Sequence, residues 1–446
     1  MGLFDRLSQN GPRVAFLGID GVPYSLIRAE PAVFENLTEI RETGIGTPIN
    51  SVIPPESSAC WPALTTGQNP GETGVYGFQE RRQDSYETYV PTGRDVAADR
   101  VWDRVHDAGR SASVLNVPVT YPPQSNLQRM VSGFLSPGIE EAVHPGGLAR
   151  TLRDVDYRID VDARLGHHSD KEAFFQDAHA TLEARTDAFE HVIERDDWDL
   201  FFGVFMTPDR VNHFAFADYE SGGPNRDAFL DFYRALDAAI GRLHAALPDN
   251  VPLVIASDHG FTPLDLEFDA NAWLAQNGWL SYESADPDSL ADIDIDSRAY
   301  ALVPGRFYVN LEGREPNGRV PADTYEAVRS ELATALEGIR DPEGRPVIDR
   351  VVDREEAFTG EHTDRAPDLV AIPEGGFDLK AGFDPSAPVF SSGPRNGMHT
   401  FENATLIVDR PVDVPAEPDL LDIAPLLLDF LDLRDLSHEP LEHADD

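Results

Sequence analysis

One cysteine, Cys60, occurs in 446 residues, so no intrachain disulfide and no thiolate zinc cluster can form. Lysine is nearly as scarce: Lys171 and Lys380 are the only two, and every other cationic side chain is arginine. In all, 36 basic residues face 79 acidic ones, for a net charge of −43. No basic patch is left to displace condensed counterions, which excludes long nucleic acid as a partner. No apolar run approaches the ~18 residues of a membrane span, and Met1 to Asn10 lacks the apolar core of a signal peptide. A soluble, cytoplasmic protein is expected. A surface this acidic repels itself unless salt screens it, and at molar salt the screening length falls to about 3 Å, so the composition points to a halophilic, high-salt cytoplasm.

Apolar residues make up 41% of the chain and include 24 phenylalanines, enough for a large core. The length suits one α/β catalytic domain over 1–446 with an insertion. Short continuous apolar runs at Arg13 to Ile19, Ala112 to Val117, Leu200 to Met206 and Pro252 to Ser257 predict buried parallel strands. Helical spacing predicts helices over Pro31 to Thr43, Ala97 to Ala108, Asp170 to Arg195, Asp227 to Leu247 and Asp419 to Leu433. Between about 262 and 366 the texture changes to short strands, an acidic loop at Glu283 to Asp296 and a helix at Ala322 to Leu336, which reads as an inserted subdomain. The parallel pattern is expected to resume at Asp368 to Ile372, with a further strand at Thr405 to Val408.

Chemistry concentrates where strands end. Asp20, Asp209 and Asp258 each terminate or closely follow an apolar strand run, and parallel strands bring their C-terminal ends to one edge, where ligands bind. Ser57 follows Pro54-Pro55-Glu56 and opens an apolar run, the place of a serine at a helix N-terminus, where backbone N–H groups favour an anion. Asp209 and His213, four apart, share a helix face and can grip one cation. Adjacent Asp258 and His259 diverge at a strand end, which suits two metals side by side. Aspartate and histidine without cysteine favour zinc or manganese.

The motifs around these residues are G-I-D-G from Gly18, W-x-x-x-x-T-G-x-N-P-G from Trp61, N-V-P-V-T-Y-P-P from Asn116, S-D-H-G-F from Ser257, N-L-E-G-R-E-P-N-G from Asn310, A-P-D-L-V from Ala366 and D-I-A-P from Asp422. With them the chain resembles the type I phosphodiesterase and nucleotide pyrophosphatase branch of the alkaline phosphatase superfamily over nearly its whole length. The resemblance implies an α/β, alkaline-phosphatase-like, mostly parallel sheet sandwiched by helices, with a small inserted α+β subdomain. It also implies two divalent metals, zinc first and manganese second, acting on a small phosphodiester or nucleotide. Carried over by motif, Asp209, His213 and His399 hold one metal. Asp20, Asp258, His259 and the Ser57 oxygen hold the other, and Ser57 attacks phosphorus to give a phosphoseryl intermediate.

Two positions depart from the family. An asparagine that many members place 21 residues after the nucleophile as an oxyanion contact is Phe78 here, and the usual His-Gly is Thr73-Gly74. Arg314 and Arg395 are candidate phosphate contacts. Rival readings are a phosphomonoesterase, a phosphoglycerate mutase-like transferase and a metal-stabilised binding protein without catalysis. A sulfatase is excluded because Leu64 stands where C-x-P-x-R needs arginine, and Cys60 lies seven residues before Gly67 where Ser57 lies the required ten. Preference for diesters over monoesters is expected, since no lysine or arginine is visible beside Ser57 in the sequence.

Overall fold

A computed structural model describes residues 11–434 apart from 83, 84, 196 and 285. The segment Met1 to Asn10, read above for a signal peptide, lies outside the described residues. Among the described residues, no helix is long and apolar enough to cross a membrane.

The apolar runs do become strands. The central sheet consists of β1 (Val14–Ile19), β2 (Ile45–Ile49), β3 (Ala112–Val117), β4 (Arg129–Ser132), β5 (Val143–His144), β6 (Leu200–Phe205), β7 (Leu253–Ala256) and β8 (Ala404–Val408). Their spatial order is β2-β8-β7-β1-β6-β3-β4-β5. The five middle strands, β7 to β4 in that order, are parallel, while β8 runs antiparallel to both its neighbours and β5 antiparallel to β4. Every residue of β1 is buried, because helices cover both faces and alternate side chains must enter two cores. Ala15, Leu17 and Ile19 join one apolar cluster with helices α2 (Glu172–Ile193), α3 (Thr207–Ser221) and α4 (Arg226–Ala246). Val14 and Phe16 join the other, with helix α1 (Ser57–Thr66) and the helices Val101–Asp107 and Ile423–Phe430. Gly18 lets α1 press onto the sheet: a Cβ there would stand 2.4 Å from the Trp61 ring and 2.9 Å from Val204.

A second region lies between β7 and β8 in the chain. Strands Ala299–Leu302, Arg306–Val309, Leu369–Pro373 and Ile348–Asp353 form an antiparallel sheet, backed by the helix Tyr325–Glu337. They share a core of their own that includes Tyr300, Phe307, Leu332 and Leu369. The run from Asp368 therefore does not resume the parallel sheet as expected. Five apolar residues are consistent with a buried strand in any sheet, and pairing partners decide which: here Leu369 lies opposite Phe307. The long strand Gly260–Asp269 leaves β7 directly and pairs antiparallel with Gly397–Thr400, setting Phe261 opposite His399.

Candidate active site

The C-terminal edge of the parallel strands gathers all seven expected ligands. Asp20 follows β1, Asp258 and His259 follow β7, and Asp209 sits in the first turn of α3 after β6. Gly21, at φ 67°, makes the turn that follows Asp20, and its N–H donates to Asp258 Oδ1 at 3.1 Å. Ser57 is the first residue of α1 and only 7% exposed. Its hydroxyl lies 3.4 Å from Asp20 Oδ1 and 3.2 Å from His259 Nε2. On the other side, His399 Nε2 is 3.1 Å from Asp209 Oδ1 and 3.1 Å from His213 Nε2, while His213 Nε2 is 3.4 Å from Asp209 Oδ1. The rings of His259 and His399 stack at 3.9 Å, so the two groups adjoin. Two sets have ligand atoms within 4.8 Å of one another, Asp20 with Asp258 and His259, and Asp209 with His259 and His399.

The donor chemistry fits cations. Each imidazole points Nδ1 at a backbone carbonyl: His213 at Gly397, His259 at Gly260 and His399 at Pro55, all at 3.1 Å. A carbonyl only accepts, so Nδ1 donates, and in a neutral ring Nε2 is left bare. Burial drives His213 well below its ordinary range and His259 to about 3, so both rings are neutral. Three imidazole Nε2 atoms then face three buried carboxylates, those of His213 and His259 being bare. Asp258 Oδ2 has no hydrogen-bond partner at all. Burial and the neighbouring acids raise Asp20 well above the usual carboxylate range, and burial raises Asp258 to about 7. Lone pairs and carboxylates facing each other in a buried site repel without cations between them.

Several side chains at the site escaped the sequence reading. Trp61 donates Nε1–H to Asp20 Oδ2 at 2.7 Å; its spacing of four from Ser57 on α1 was the available signal. A cavity of about 250 Å³ opens over Ser57, and its lining includes Asp209, His213 and His399 together with Arg210, Lys380 and Arg395. The expectation that no cation stands beside Ser57 is thus corrected: three reach the cavity from residues distant in sequence. Each already faces a carboxylate. Arg210 donates to Asp209 Oδ2 at 2.9 Å and to Asp160 at 3.0 Å, while Lys380 and Arg395 share Asp378 and Glu267. Arg395 therefore stands where a substrate contact was expected. Arg314 does not line the cavity; it is locked to Asp368, with Nη2 2.6 Å from Oδ2, and to Glu315. Its motif position reflects the structure of the second sheet. Phe78 lines the cavity and packs 6.0 Å from Phe134, so no side-chain donor occupies that position.

The model of the type I phosphodiesterase / nucleotide pyrophosphatase family matches residues 14–402. The chain belongs to this family. By that membership it is a phosphoester hydrolase, and the Asp/His groups at its strand edge are those that can hold a divalent metal. No curated protein matches the chain by sequence. Among solved structures, phosphonoacetate hydrolase from Sinorhizobium meliloti 1021, solved with phosphonoacetate, superposes with a TM-score of 0.61 at 17% identity, covering 94% of this chain and 96% of that one. Murine ectonucleotide pyrophosphatase / phosphodiesterase 5 gives 0.57 at 15% identity, covering 96% and 97%. Alkaline phosphatase PafA gives 0.57 at 14% identity, covering 95% and 96%. These likenesses establish an alkaline-phosphatase-like fold for the family member.

Proposed function

We propose that this family member hydrolyses small phosphodiesters with Ser57 as nucleophile, through a phosphoseryl intermediate. The observation that carries the reading is the convergence of three imidazoles and three buried carboxylates at one strand edge, with Asp20 and His259 against the Ser57 hydroxyl. Divalent ions held by Asp209, His213 and His399, and by Asp20, Asp258, His259 and Ser57, supply charge that favours the serine alkoxide and the developing phosphoryl charge. Ser57 Oγ gives up its proton and attacks phosphorus in line; the ester oxygen opposite departs with its organic arm as an alcohol once protonated. Water then attacks the phosphoseryl phosphorus, and the Ser57 oxygen leaves and regains a proton. Trp61 and the Gly21 N–H hold Asp20 and Asp258 in place for both steps. Nitrogen-and-oxygen donors without sulfur suit zinc first and manganese second, and the acidic surface suits a cytoplasm of molar salt.

A second reading, phosphomonoester hydrolysis, gains support from Arg210, Lys380 and Arg395 in the cavity wall, where a dianion finds cations. Because each of these cations is already held by carboxylates, the diester reading is preferred. Turnover of methyl 4-nitrophenyl phosphate and of 4-nitrophenyl phosphate, measured after stripping and reloading with zinc or manganese, separates them. Faster cleavage of the diester is expected. Much faster cleavage of the monoester would install the second reading, and full activity after exhaustive chelation would remove both.

A further inference from the structure

Adjoining the reaction cavity at Ser58, the residue after Ser57, lies a second cavity of about 320 Å³. It shares Ser58 and Phe134 with the reaction cavity and is otherwise walled by Val90, Pro91, Thr92, Val119, Tyr121 and Leu135. Its volume falls within the range of small-molecule sites. No charged side chain lines it, and the Thr92 hydroxyl is committed to Asp95 at 2.7 Å.

Three independent features mark this cavity as built. Val90 and Leu135, 43% and 44% exposed, are two of the three exposed large hydrophobic residues among the described residues, and both face it. Leaving such area in water is unfavourable unless something covers it. Val119 and Leu135 hold left-handed backbone at φ 55° and 71°, a strained state for side chains of these shapes, and for a β-branched one above all. The loops that carry them are pinned to each other: Gly93 N–H donates to Tyr121 O at 2.7 Å, Ser132 Oγ to Thr120 O at 3.0 Å and Gly133 N–H to Val117 O at 3.1 Å. The cavity is therefore preformed.

We propose that this cavity is the subsite for a hydrocarbon ester arm, so that the substrates are phosphodiesters carrying an alkyl or similar apolar group. The inference rests on the phosphodiester reading above. A nucleobase, with several donors and acceptors on its edge, would find only the Ser58 and Tyr121 hydroxyls among these side chains and leave most of them unpaired. Continuity through Ser58 and Phe134 sets the apolar arm beside a phosphorus attacked by Ser57.

The test uses 4-nitrophenyl phosphodiesters with a common leaving group and a retained arm of methyl, butyl, octyl or 5′-thymidyl. We expect kcat/KM to rise at least about tenfold from methyl to butyl and further to octyl, as burial of methylenes dictates, with the thymidyl ester no better than methyl. The double variant Val90→Thr/Leu135→Asn should flatten the series, lowering kcat/KM far more for the octyl than for the methyl ester. Asparagine tolerates the left-handed backbone at 135, so lost folding is not the cause of the effect. A flat series in the native protein, preference for the thymidyl arm, or an equal loss on all esters in the variant overturns the proposal. If no diester is cleaved, the phosphodiester reading fails separately. Calorimetric titration of the metal-loaded protein with methyl, butyl and octyl phosphate then decides the cavity: affinity rising with length supports it, and equal affinities reject it.

Discussion

The two halves of the site use the same residue types in opposite electrostatic settings. Asp20 and Asp258 are fully buried beside one another and His259; burial raises both, with repulsion from Asp258 and Asp209 adding at Asp20 and from Asp209 at Asp258, and Asp258 Oδ2 has no hydrogen-bond partner. Asp209 is just as buried, yet it is held well below the usual range, with the guanidinium of Arg210 2.9 Å from Oδ2 as its permanently charged partner. One half keeps its carboxylates raised by burial and neighbouring acids, whereas the other has a guanidinium hydrogen-bonded to its carboxylate. A buried carboxylate is thus evidence of a metal in proportion to how poorly the protein itself neutralises it.

The largest expected effect tests whether Ser57 belongs chemically to the first half. Ser57→Ala should lower turnover by about three orders of magnitude or more, while metal content stays near that of the native protein because Asp20, Asp258 and His259 remain. Ser58→Ala and Cys60→Ala should change activity little, Cys60 being packed in the core beside Ser51. Steady-state kinetics alongside metal analysis decides this, and an active Ser57→Ala with an inactive Ser58→Ala would move the nucleophile by one residue.

Replacing single carboxylates should break the comparison open. Measured after chelation at pH 8, Asp258→Asn should raise the melting temperature, because a buried charge is removed that the fold does not neutralise. Asp209→Asn should lower it, with a stability loss of about 1 to 3 kcal/mol, because Arg210 loses a charged partner. Both variants should lose metal. Shifts of the same sign would mean that the halves do not differ as described.

pH sharpens the same contrast. Metal binding needs Asp258 ionised, and its metal-free value of about 7 means that protons compete throughout the range below 7. Asp20, raised in the same direction, competes likewise, so affinity measured by chelator competition should fall by about tenfold or more per unit as pH drops from 7 toward 5. His259, already neutral above about 3, adds nothing in that window, and Asp209, held low, adds nothing either. Affinity that is flat from pH 7 to 5 would contradict the raised value at Asp258.

The smallest effect contrasts the buried site with the surface. Potassium chloride from low to multimolar concentration should raise the melting temperature by several degrees, since screening relieves repulsion among surface acids of a chain with net charge −43. A flat or falling curve would count against the high-salt reading.

Sequence alone determined the elements and the identities at their ends. Apolar runs and helical spacing are local signals, so β1, β3, β6, β7, α2 and α4 appear within a few residues of their expected bounds. The aspartates at strand ends and Ser57 at a helix start were legible because parallel topology sends all such ends to one edge. Tertiary structure alone decided what lies opposite. Lys380 and Arg395 reach Ser57 from beyond residue 376, across pairings with Gly260–Asp269. Leu369–Pro373 joined a second sheet because Phe307 was its partner, and Arg314 was drawn to Asp368 from the same motif-bearing region in which a phosphate contact was expected. The apolar cavity beside Ser57 was equally invisible, since Val90, Val119 and Leu135 lie on three separate loops with no shared period. Periodicity encodes which way one element faces; which elements meet depends on long-range packing, and no local pattern carries that information.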